Sequence, residues 1–135
     1  MKSRRIGLFL SLFILLLVSS CATVPKESLG PGDLRLTGVE FPEFGGIRRN
    51  LKYLVSIKFE ADGRPEIPKA CFYWGTDGPY CSNVMDVNYG TQIATVDTPI
   101  PPQNGMYRFR VFVYYVRDGR NVRSNMTETT VTVIP

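Results

Sequence analysis

Between residues 51 and 60 the chain alternates strictly. Leu51, Tyr53, Val55, Ile57 and Phe59 share one parity; Lys52, Leu54, Ser56, Lys58 and Glu60 share the other. Successive side chains on a strand point to opposite faces, so this pattern predicts a half-buried strand over a core. The same period recurs along the chain. Leu34-Arg35-Leu36 alternates, and Val39-Glu40-Phe41 alternates in the opposite phase, with Gly38 where a bulge or kink would shift the register. Residues 69–74 predict a short aromatic strand, 83–89 and 92–96 two weaker ones, and 106–116 the strongest. A last strand falls within 121–134, clearest at 129–133. Asp62-Gly63 and Asp118-Gly119 are turn signals, and Pro65 and Pro68 delay the strand that follows. Pro99, Pro101 and Pro102 make 98–105 a stiff crossover, because proline cannot donate to a ladder. No stretch past the N-terminal segment carries a convincing helical period. About seven strands, with turn signals roughly every eight to twelve residues, predict an all-β antiparallel sandwich.

The N-terminal segment has a different pattern. Lys2, Arg4 and Arg5 precede an almost wholly apolar run, 6–18, of 13 residues. A spanning helix needs roughly 20. A basic flank, a short apolar run and small residues behind it form the pattern of an export signal, a segment not expected to belong to the fold. Val18-Ser19-Ser20-Cys21 resembles the lipobox of bacterial lipoproteins. The resemblance implies a diacylglycerol on the Cys21 thiol and cleavage before that residue, leaving a chain anchored in the membrane. Ala22, rather than Asp, resembles the class sent to the outer membrane, facing the periplasm or the cell surface. The alternative is an ordinary signal peptide or uncleaved anchor with an incidental Cys21. The domains expected are therefore a signal peptide at 1–20, a flexible tether at 21–32 rich in Pro, Gly, Ser, Lys and Glu, and one β domain at 33–135.

Removing the signal changes the charge. The chain carries +4, but Lys2, Arg4 and Arg5 supply three of those charges. What remains is close to neutral, so the basic composition gives no argument for nucleic acid, and export argues against it. The cysteines resolve in the same way. With Cys21 taken by lipid, Cys71 and Cys81 form an even pair in an oxidising compartment. They bracket CFYWGTDGPYC, and a turn at GTDG would set the flanking strands side by side, within reach of a disulfide. Two buried free thiols are the alternative. A redox-active pair is disfavoured, since the spacing is not CxxC and no His or Lys adjoins either thiol.

Gly105-Met106-Tyr107-Arg108-Phe109, then Val111 and Val113, a DG hairpin and a terminal Thr/Val strand resemble the closing hairpin of fibronectin type III and immunoglobulin-like domains. The resemblance covers roughly residues 31–135. It implies that Tyr107 hydrogen-bonds back to the crossover and that Trp74 is a core aromatic. The chain departs from antibody domains. Phe109 stands where their second inter-sheet cysteine lies, and Cys71 with Cys81 would staple neighbouring strands instead. Such sandwiches host many functions, so the fold brings no activity with it.

Candidate chemistry is sparse. The chain has no histidine, which removes Ser-His-Asp and Cys-His catalysis. Asp62, Asp77 and Asp118 each precede glycine, as turn residues do. No calcium loop, zinc set or phosphate-binding glycine motif occurs, so no catalytic residue, metal or cofactor is expected. Two surfaces are candidates for binding. One is the outward parity of the strongest strand, with Arg108, Arg110, Phe112, Tyr114 and Val116, and with Arg117, Arg120 and Arg123 nearby. Aromatics with arginine are the composition of interface hot spots, which suits an envelope protein partner or an anionic envelope polymer. The plainer reading is that the protein's own loops cover the aromatics. The other surface is the segment 72–80, where Phe72, Tyr73, Trp74 and Tyr80 could stack on sugar rings. There the plainer reading places Trp74 and one neighbour in the core. The expectation is a non-enzymatic interaction or accessory module of the cell envelope, with a carbohydrate- or peptidoglycan-binding module as the alternative.

Overall fold

Residues 28–42, 46–49 and 51–135 are described by a computed structural model. The signal segment, Cys21 and most of the tether lie outside the described residues. Nine strands follow in order: β1 Leu34–Glu40, β2 Ile47–Arg48, β3 Leu54–Ala61, β4 Lys69–Trp74, β5 Asp77–Asn88, β6 Ile93–Asp97, β7 Gly105–Arg117, β8 Arg120–Arg123 and β9 Thr127–Ile134. They hydrogen-bond in the order β1-β3-β6-β5-β4-β7-β9-β2, with β8 beside β7. All pairings are antiparallel except the two-residue contact of β2 with β9, which is parallel. The fold is all-β and sandwich-like, built from one curled sheet.

β5 is what joins the two layers. Its first part, 77–83, pairs with β4, and its second part, 84–88, pairs with β6. One layer is thus β1-β3-β6 and the other β4-β7-β9. The inward parity of β3, Val55, Ile57 and Phe59, faces Phe72, Trp74, Phe109, Val111 and Val113 from the second layer, all at most 2% exposed. Phe109 stacks on Phe72 at 5.4 Å and lies 4.7 Å from Trp74, centroid to centroid.

Local signals in the sequence account for much of this. The phase change at Gly38 is a bulge: the β1–β3 register shifts between Leu36 and Gly38, and both Leu36 and Val39 stay buried. Asp118 and Gly119 both have positive φ, 53° and 73°, which is the primed turn that matches strand twist. Tyr107 Oη donates to the Gln103 carbonyl at 3.0 Å, the bond back to the crossover that the resemblance implied.

Four expectations are corrected. Nine strands stand where about seven were expected, and the unanticipated two-residue β2 makes one contact parallel. Leu51 is not in the strand; β3 begins at Leu54, although Tyr53 and Thr98 extend the pairing through Thr98 N–H to Tyr53 O and Tyr53 N–H to Thr98 Oγ1. β5 starts at Asp77 rather than near 83, so the turn after β4 is only Gly75-Thr76. The last strand is two strands. At Ser124 the hydroxyl accepts from Val113 N–H at 2.9 Å and donates to Asn125 O at 2.8 Å, replacing one ladder bond while Ser124 N–H still donates to Val113 O, and β9 is offset from β8. Asn125 then reaches β1: Oδ1 accepts from Leu36 N–H at 2.7 Å and Nδ2 donates to Leu36 O at 3.0 Å.

Candidate functional site

The outer face of the β4–β7 layer is assembled by register. Lys69 lies opposite Tyr114, Cys71 opposite Phe112, and Tyr73 opposite Arg110. On the far side of β7, Tyr114 lies opposite Arg123 and Arg110 opposite Glu128. Cys71 and Cys81 are directly opposed on β4 and β5 and are joined by a disulfide, with Cα atoms 4.1 Å apart. The bridge therefore staples one hairpin of this face and leaves the two layers unlinked.

Aromatic rings hold the arginines. Arg110 places its guanidinium 4.7 Å from the Tyr73 centroid and donates from Nη2 to the Gly75 carbonyl at 2.9 Å. Arg123 lies 3.9 Å over the Phe112 ring. Each such stacking contributes about 0.5–1 kcal/mol when exposed and more when desolvated. Arg108 is freer: its side chain is 72% exposed, and its ion pair to Glu128 is 3.5 Å long. Such a pair in water contributes little. Lys69 makes no ion pair among the described residues. Among the described residues the face thus presents four cations, Lys69, Arg108, Arg110 and Arg123, against one carboxylate, Glu128. Guanidinium forks held in place in this way are suited to reading carboxylates or phosphates.

The structure relocates several of the predicted residues. Phe112 is on the outward parity but is only 2% exposed. Arg123 lies over it, Tyr114 meets it edge-on at 5.6 Å and Tyr73 at 6.3 Å, so it is the buried floor of the face rather than an exposed anchor. Arg108, Arg110 and Tyr114 keep exposed surface around it. In the segment 72–80, Phe72 and Trp74 are in the core at 0% and 1% exposure. The four aromatics therefore do not form one platform. Tyr80 stays exposed, and its hydroxyl donates to the Asp77 carboxylate, 2.8 Å from each oxygen. That bond, first, and then desolvation and the Asp77 charge raise the Tyr80 pKa above its ordinary value. Tyr73 is turned outward onto Arg110, which merges the two candidate surfaces into one.

Sequence reasoning missed Lys69 and Glu128 as members of this face. Their parity is legible within each strand, but only the sheet order places them beside β7. No group of three or more His, Cys, Asp or Glu that could hold a metal occurs among the described residues. Comparison with protein-family models finds no match to this chain, and neither does comparison with curated proteins.

Proposed function

We propose that this chain is an exported lipoprotein, anchored to the cell envelope through lipid on Cys21, whose β-sandwich is a non-enzymatic protein-interaction module. The reading of the N-terminal segment rests on the lipobox resemblance. The strand layers β1-β3-β6 and β4-β7-β9, with β5 passing between them and Tyr107 bonded back to the crossover, support a fibronectin type III-like or immunoglobulin-like module. The observation that carries the interaction reading is the outer face of the β4–β7 layer. Two of its cations, Arg110 and Arg123, are stacked on aromatic rings, and the exposed carboxylate of Glu128 pairs with Arg108. An outer membrane location follows from the resemblance of Ala22 to that class. The carbohydrate alternative is weakened, because Phe72 and Trp74 are committed to the core.

Two experiments test the proposal. Intact mass of the envelope-extracted protein should show lipid on the mature chain, lost in Cys21→Ser. Crosslinking in native membranes, followed by mass spectrometry, should recover a specific protein partner. That partner should be lost in an Arg108→Glu/Tyr114→Ser variant. Recovery of the same partners from both chains refutes the role of this face.

A further inference from the structure

β5 leaves part of one edge unpaired. It lies between β4 and β6, but β4 pairs with residues 77–83 and β6 only with 84–88. Val84 N–H donates to Pro68 O at 3.1 Å, on the β4 side. Backbone groups alternate in direction along a strand, so those of Ser82 and Tyr80 also point to β4, and those of Asn83, Cys81 and Pro79 point away from it. β6 does not continue along that outer side. It ends at Asp97, and Thr98 N–H donates to Tyr53 O instead. The β5–β6 register carried further would set Pro99 opposite Cys81, and proline has no N–H to give. Pro79, Cys81 and Asn83 are all exposed, so solvent reaches this edge. Natural edges are commonly blunted by charge. Here residues 78–85, GPYCSNVM, carry none, and Tyr80 is 42% exposed. The disulfide to Cys71 fixes the edge at Cys81, the middle of the three residues whose backbone points outward.

We infer that this edge pairs with the same edge of a second copy of this chain, antiparallel about a two-fold axis at Cys81, so that the two β4-β7-β9 layers join into one sheet. This goes beyond the interaction role of the β4–β7 face and does not depend on it. The contact is isologous and closes on itself as a dimer. The register follows from the groups present. With the axis at Cys81, each Cys81 N–H donates to the other copy's Cys81 O, and each Asn83 N–H donates to the other copy's Pro79 O. Pro79 lacks a donor, so the ladder stops there. An axis at Pro79 would have no bond at its centre, and an axis at Asn83 would run the second copy into β6. Tyr80 then lies opposite Ser82 of the second copy, which covers its ring. The flanking charges are of opposite sign: Lys69, opposite Asn83 on β4, and Asp77 at the start of β5; Asp86 lies further on, where β5 pairs with β6. The axis is perpendicular to the sheet, so both outer faces of the β4–β7 layer come to one side of the joint sheet. The two tethers leave from opposite ends, at equal height when the axis stands along the membrane normal. One strand pair is smaller than the contact of a stable soluble dimer. Confinement of anchored copies to one membrane, on the reading of Cys21 above, raises their effective concentration and favours it.

The test uses the full chain in the envelope of the expressing cell. A photo-crosslinking phenylalanine analogue replaces Tyr80, and crosslinked peptides are identified by mass spectrometry. The expected crosslink joins two copies, through the second copy's peptide that contains Ser82. Asn83→Pro removes the outward donor from each copy and leaves the β4 ladder whole, because Asn83 N–H points away from β4. It should lower the crosslink about tenfold, as expected for two lost hydrogen bonds. Asn83→Lys, which adds the charge that blunts natural edges, should lower it as well and carries the test if the proline variant fails to fold. Peptide mapping without reduction checks that Cys71 is still joined to Cys81 in each variant. A crosslink between copies through other segments, or one that persists undiminished in both variants, overturns the edge pairing. A crosslink only to a different protein overturns the second-copy inference. No crosslink between copies overturns it too, whatever lipid the chain carries. The β4–β7 face is read separately, from the Arg108→Glu/Tyr114→Ser variant.

Discussion

Asn125 is the residue whose removal tests the reading of this fold most directly. Its side chain satisfies both backbone groups of Leu36, a residue 89 positions away, at 2.7 and 3.0 Å. Leu36 turns these groups away from β3, so Asn125 stands where a neighbouring strand would otherwise pair with β1. Each bond contributes about 0.5–1.5 kcal/mol net, so Asn125→Ala should cost about 1–3 kcal/mol. The side-chain cluster that Leu36 joins is left intact, so no cavity adds to that cost. Asn125→Asp is the sharper variant. Its carboxylate still accepts from Leu36 N–H but cannot donate to Leu36 O, and it sets two oxygens against each other. It should cost at least as much as alanine despite its similar shape. The assay is urea unfolding with the disulfide intact. With a slope of about 1.5 kcal/mol per M, a loss of 2 kcal/mol lowers the midpoint by about 1.3 M. Amide exchange at Leu36 should accelerate in both variants, and exchange at Val55 should follow global stability alone. An unchanged midpoint in both variants, with Leu36 still protected, refutes the clamp.

Other outcomes follow from the same contacts. Phe112→Ser should destabilise the domain by about 3 kcal/mol or more, because it empties a buried ring site beneath Arg123 and adds a polar group; thermal unfolding measures it, and a near-neutral result refutes the burial of that ring. Replacing Cys71 and Cys81 together by alanine should cost roughly 2–3 kcal/mol, from a loop closed over a separation of 10 residues, read as a lower midpoint that matches the reduced native protein. Tyr107→Phe should lose about 1 kcal/mol with little structural change, since one hydrogen bond to Gln103 goes while the ring keeps its contact with Trp74. The Tyr80 phenol should titrate above the ordinary tyrosine range, and Asp77→Asn should bring it back, followed by phenolate absorbance with Tyr80→Phe as the assignment. The folded protein favours the neutral phenol, so this small contribution is present below the ordinary tyrosine pKa and fades as pH rises through the raised one.

Within the candidate face, Arg108, Arg110 and Tyr114 were legible in the sequence, because parity along one strand names the residues that share a side. Phe112 shares that parity too, yet whether it is exposed depends on what covers it. Tyr73 and Arg123 do so, and they come from β4 and β8, positions no pattern within β7 can specify. Phe72, Trp74 and Tyr73 show the same limit from the other direction. As a cluster in sequence they suggest one aromatic platform, but alternation sends two to the core and one to the outer face. β5 carries a weak pattern because most of its residues are exposed and because it serves two layers in turn, so alternation alone points to a start several residues after Asp77.

By itself the sequence determined most of the strand-forming segments, the inward faces of β3 and β7, the bulge at Gly38, the hairpin at Asp118-Gly119 and the pair of cysteines brought opposite one another. These follow from alternation and turn chemistry, which act over a few neighbouring residues. Only the tertiary structure decided the order of the strands, the break at Ser124, the reach of Asn125 to β1 and the burial of Phe112. Each of these depends on which strand lies beside which, and that is set by pairings between residues far apart in the chain, where local period carries no information.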